Sequence, residues 1–179
     1  DPTWNVGGNL DFTGAGGGTE TITTGAGTWT VTGNVDLTGG TITATSGNTI
    51  LMNGTANLIP ASNSFYNLTI NGNANTVTES TTGTVVNALT IGGAADSNND
   101  TLTIDGAIIS PNIGSVALFG SGTDLINGSG VLYIRNSSMS ANGTVNVFVH
   151  YHAQDGQLTA TARTYGGNVT FGDLGVTGG

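Results

Sequence analysis

The chain has 179 residues, enough to bury a core, yet only 7% are charged: eleven acidic residues against Arg135 and Arg163, with no lysine and a net charge of −9. Such a chain cannot assemble the cationic stripe that nucleic acid or anionic lipid requires, which argues against both partners. It has no cysteine for a disulfide, and no apolar run approaches the ~18 residues of a membrane-spanning helix. The start at Asp1-Pro2, with neither Met nor a signal peptide, is what a processed secreted protein or an excised fragment would show.

Thr and Gly each occur 31 times and Asn 20 times. Thr is stiff and β-branched and suits pleated strands, while Gly and Asn supply corners and turns. No segment keeps the apolar period of a helix, so the chain is expected to be all β.

Residues 3–14 read TWNVGGNLDFTG, and residues 28–39 read TWTVTGNVDLTG, the same phrase written a second time. Alternation places Trp4, Val6, Gly8, Leu10 and Phe12 on one side of an extended chain, and Trp29, Val31, Gly33, Val35 and Leu37 on one side of the second copy. Each copy therefore predicts a long amphipathic strand. Residues 1–14 are expected to be an N-terminal strand, free to pair within the chain or with a neighbour, and residues 15–179 a single β domain.

Shorter strands are predicted at 41–45, 49–52, 65–70, 85–91 and 101–104, then at 115–119, 131–134, 145–151, 158–164 and 168–171. A phrase of the form LTI recurs at 68–70, 89–91 and 102–104, the second interval much shorter than the first. Two architectures accommodate this rhythm. A parallel β-solenoid would suit the low charge, because in-register stacking brings like residues ~4.8 Å apart. Four Asn-Gly pairs (at Asn53, Asn71, Asn127 and Asn142) instead signal hairpins, and strands with one polar face are an antiparallel habit. The expected fold is an antiparallel β-sandwich, with the solenoid as the alternative.

Candidate sites are sparse. Asp96, Asn98 and Asp100 occupy positions 1, 3 and 5 of a calcium-type loop, but Thr101 and Ala107 stand where an EF-hand needs its Gly and bidentate Glu. Calcium, with Asp105 as an outside ligand, competes there with a plain polar turn. His150 and His152 share a strand face with Phe148, and Asp155 is the only carboxylate nearby, too few ligands for a zinc site. Sequons for N-glycosylation stand at Asn53, Asn67, Asn99, Asn127, Asn136, Asn142 and Asn168, conditional on a host that glycosylates. Thr-x-Thr steps such as Thr30/Thr32 and Thr101/Thr103 evoke ice-binding arrays, but their uneven spacing points to ordinary strand propensity. No nucleophile elbow, metalloprotease, P-loop or dinucleotide motif occurs, and no enzyme activity is expected.

The phrases TWTVTGNVDLTGGTIT, FYNLTING and DTLTIDG resemble those of large Thr/Gly/Asn-rich β-strand-repeat surface proteins of bacteria and archaea, over most of residues 1–110. That resemblance implies an extracellular structural or adhesive role and no catalytic residues. The N-terminal phrase alone is similar to the donor strand of fibres built by strand complementation, with Trp4, Val6, Gly8, Leu10 and Phe12 as the donor face. The expected function is a structural subunit of an extracellular homopolymeric filament, assembled head-to-tail by β-strand addition. The alternative is an adhesin module that binds glycans or surfaces through its turns.

Overall fold

In the computed structural model, backbone is described for residues 3–13, 20–93, 97–110, 115–118, 123–135, 138–141, 144–147, 150–154, 157–159, 163–165 and 169–171; side chains are described for 3–13, 20–93, 97–108 and 123–133. Every element among them is a strand. Every pairing is parallel. The protein is a β-solenoid, and the expected antiparallel sandwich is wrong.

Each coil visits three faces. The second is a single 8-stranded sheet running from Leu10–Asp11 through Val35–Asp36, Ala56–Ile59, Thr76–Glu79, Thr101–Ile104, Thr123–Asn127 and Thr144–Val147 to Arg163–Tyr165. The first face starts with Trp4–Val6, Thr28–Val31 and Thr49–Met52 and ends with Ser115–Leu118, Ser138–Ala141 and Gln157–Thr159. The third holds Glu20–Thr23 and Gly40–Thr43, then Ala107–Ser110, Val131–Arg135, His150–Gln154 and Val169–Phe171. Two long strands, Ser64–Ile70 and Gly83–Ile91, turn the corner between the third face and the first. Their register breaks between Val85 and Ala88, where that corner falls.

The core follows from alternation in register. Trp29, Ile50, Leu68 and Leu89 stack as one inward column of the first face, and Val31, Met52, Ile70 and Ile91 as the next. All eight are buried. The other faces contribute Val35, Leu58, Leu102 and Ile104, and Ile42, Phe65, Val85 and Ile108. Each such side chain contributes roughly 1.5–3 kcal/mol by leaving water, and no coil can bury its apolar side alone.

Two features misdirect the sequence reading. The long N-terminal strand is interrupted: Trp4–Val6 lies on the first face and Leu10–Asp11 on the second, with Gly7 and Gly8 between. The second copy breaks in the same way into Thr28–Val31 and Val35–Asp36. The Asn-Gly pairs at Asn53, Asn71 and Asn127 close no hairpin; they lie at solenoid corners, while Asn142 is outside the described residues. Corners and hairpins ask the same of the backbone. Gly128 has φ +120°, and a Cβ there would meet the Ile104 backbone of the coil before.

Candidate functional site

The duplicated phrase is one coil laid on the next. Trp4 is opposite Trp29, Val6 opposite Val31, Leu10 opposite Val35 and Asp11 opposite Asp36. The two indole rings stack with centroids 4.7 Å apart and planes 7° from parallel. Even the turns repeat: the Thr13 N–H and hydroxyl donate to Asp11 Oδ1 at 2.7 and 2.5 Å, and those of Thr38 donate to Asp36 Oδ1 at 3.0 and 2.6 Å. These bonds to the ionised form hold the Asp11 carboxyl below the usual value.

Of the five proposed assembly residues, Phe12 is buried, Val6 and Leu10 are half-buried, and Gly8 is exposed. Trp4 is 46% exposed, the only large apolar side chain so open among the described residues. The first-coil strands Trp4–Val6, Leu10–Asp11 and Glu20–Thr23 pair with the second coil on one side. Their other edges carry no partner among the described residues, which leaves main-chain donors and acceptors facing outward along the solenoid axis.

Beside this edge lies a groove on the second face, lined by Asn9, Asn34 and Asn57 on one side and by Asp11, Asp36 and Ile59 on the other, with Leu10 also lining it. Asn9 Oδ1 accepts the Asn34 N–H at 2.9 Å, and Asn34 Oδ1 accepts the Asn57 N–H at 2.8 Å. The ladder thus ties successive coils together through their main chain.

The proposed calcium ligands fall partly within the described residues. Asp96 lies outside the described residues. Asp100 is fully buried, and its carboxylate accepts the Asn75 N–H at 2.8 Å and the Gly72 N–H at 3.4 Å. Its own N–H donates to Asp124 Oδ1 at 3.2 Å. Asn98 Nδ2 donates to the Gly72 carbonyl at 2.9 Å, and Asp105 Oδ1 accepts from the Ser129 N–H and hydroxyl. These oxygens join one coil to another, and no group of three metal-ligating acidic or imidazole side chains occurs among the described residues.

Strand His150–Gln154 sets His150 opposite Val131 and His152 opposite Tyr133; their side chains and Asp155 lie outside the described residues. Of the sequons, Asn53 and Asn99 are exposed. Asn67 is locked into the first face, its Nδ2 donating to Thr49 Oγ1 at 3.1 Å and its Oδ1 accepting from Asn87 Nδ2 at 2.7 Å. Asn127 is half-buried, with its Oδ1 accepting from the Thr103 hydroxyl at 2.6 Å. Asn136, Asn142 and Asn168 lie outside the described residues.

Two features escaped sequence reasoning. Glu79 stands in the inward column between Leu58 and Ile104, fully buried. Burial pushes its carboxyl up to about 7, only partly opposed by main-chain N–H groups such as that of Gly106, which donates to Oε2 at 3.2 Å. The alternating TVTE at 76–79 put a carboxylate at an apolar position, a signal open to reading. The second feature is the outer side of the first face. Thr28, Thr49, Asn67 and Ala88 form one column, and Thr30, Leu51, Thr69 and Thr90 another. All are half-buried between their neighbours.

Scans against protein-family models, curated proteins and solved structures each found no match. No helix among the described residues is long and apolar enough to cross a membrane.

Proposed function

We propose that this chain is a structural subunit of an extracellular filament, assembled head-to-tail with further copies of itself by β-strand addition at the N-terminal coil. One observation carries the reading: the strands Trp4–Val6 and Leu10–Asp11 are hydrogen-bonded along one edge only among the described residues. At the opposite end, Gln157–Thr159, Arg163–Tyr165 and Val169–Phe171 are likewise paired on one side. Because all coils run in the same sense, one copy's first coil can lie on another's last with the parallel pairing unchanged. That contact is heterologous and does not close, so it propagates. Strand addition supplies main-chain hydrogen bonds, and covering Trp4 adds apolar burial.

The reading differs from simple donor-strand exchange. Residues 3–12 stay in their own solenoid and offer the next copy an edge. Sedimentation velocity tests it. The unmodified chain should form species that lengthen with concentration, and Asn5→Pro, which removes an outward-facing edge N–H while the Val6 carbonyl keeps its bond to Thr32, should shift the distribution to monomers. A concentration-independent monomer would contradict the proposal.

A further inference from the structure

The outer side of the first face lacks what the other faces carry. The second face presents Asp11 and Asp36, and the third presents Tyr66 and Tyr133, half-buried on its outer side. The first-face strands hold no acidic, basic or histidine residue, although the chain carries a net charge of −9. What they display from Thr28 to Thr90 is Thr, Asn, Ala and a single Leu, in two straight columns.

Uneven spacing along the chain does not disturb those columns. The step from Thr49 to Asn67 is shorter than the steps from Thr28 to Thr49 and from Asn67 to Ala88, yet the four residues are register partners. The surplus residues are taken up at corners. The second column runs further: Asn5, Thr30, Leu51, Thr69, Thr90, Ala117, Ser140 and Thr159 are partners in sequence through eight coils.

Parallel strands set neighbours in a column ~4.8 Å apart, and alternate residues along a strand ~6.6 Å apart. The result is a rigid two-dimensional lattice of hydroxyls and methyls, on the scale of the oxygen spacings of hexagonal ice. Thr rotamers are restricted by β-branching. The Asn87–Asn67–Thr49 hydrogen bonds brace the array from coil to coil.

We infer that the outer side of the first face binds ordered water and, through it, the surface of an ice crystal. Methyl groups hold a water layer without dissolving it into strong hydrogen bonds, and the interleaved Thr hydroxyls anchor it at lattice points. A charged protein partner would find no complementary group there, and a glycan would find no aromatic side chain to stack on. The inference stands independently of filament assembly.

Thermal hysteresis and inhibition of ice recrystallisation test it, measured on the chain in whatever assembly state it adopts. The unmodified protein should show both. Thr69→Tyr and Thr90→Tyr should abolish both without altering the thermal unfolding midpoint, whereas Thr78→Tyr on the second face should leave both intact. If the Tyr variants unfold, Thr69→Lys carries the same expectation, because its ammonium extends into water. Absence of hysteresis in the unmodified chain would overturn the inference, and so would equal loss in Thr78→Tyr. So would a Thr69→Tyr effect confined to self-association or polysaccharide binding. Filaments without hysteresis would overturn this inference alone; hysteresis from a monomer would instead count against the assembly reading.

Discussion

Single residues in this solenoid do two opposite kinds of work. Asp100 is buried and accepts from main-chain N–H donors, whereas Glu79 is buried in an apolar column with Oε1 lacking a hydrogen-bond partner among the described residues. For Glu79 the native carboxyl binds its proton more tightly than the unfolded one, so stability falls as pH rises. Below about pH 4.5 both states hold the proton; between there and about pH 7 only the native state does, and the loss is complete above that. The change is on the order of 3 kcal/mol. Denaturant titrations from pH 4 to pH 8 should show this slope, and Glu79→Gln should flatten it relative to the unmodified chain. Glycosylation is also decided residue by residue. In a glycosylating host, peptide mass spectrometry should find glycans at the exposed Asn53 and Asn99 and none at Asn67, whose amide is engaged at both ends.

At the scale of elements, corners distinguish this fold from the sandwich that the sequence suggests. Asn63 shows how a corner is held. Its Oδ1 accepts the Ile42 N–H at 2.8 Å, and its Nδ2 donates to the Pro60 and Gly40 carbonyls at 2.9 and 3.1 Å. Asn63→Ala should cost about 2–4 kcal/mol in a chemical denaturation curve, because it orphans buried main-chain groups on two coils. Strand positions such as 49–52 and 101–104 were readable because alternation is a local property. Direction was not, because Asn-Gly marks a sharp bend whether the next strand returns beside the first or moves to a new face. The duplicated N-terminal phrase was the clearer clue, since two copies of TW…TG in register make a coil. Later coils hide the period by varying in length: the step from Ile50 to Leu68 is far shorter than that from Leu89 to Val116, although both join register partners. The 96–100 segment hid its bonds between coils for a related reason. Acidic side chains in a polar turn serve main-chain N–H groups as readily as cations, and the neighbouring coil supplies such groups to Asp100.

For the whole molecule, a stack of eight second-face strands is roughly 35–40 Å long at ~4.8 Å per coil, and its first and last strands are each paired on one side among the described residues. Parallel coils have no natural terminus, so the ends determine whether the molecule remains single. Trp4 lies in the first described coil, stacked on Trp29 and 46% exposed. Deleting residues 1–13 exposes the buried second-coil Trp29 and Val31 instead of closing the edge. The truncated chain should therefore aggregate without the order of the full chain, as seen by negative-stain electron microscopy. Fibre diffraction from aligned assemblies of the unmodified chain addresses the central claim most directly. A sharp meridional reflection at ~4.8 Å, from strands lying across the filament axis and continuing from copy to copy, is the predicted result. Discrete particles that never align, or a ~4.8 Å spacing perpendicular to the long axis, would contradict it.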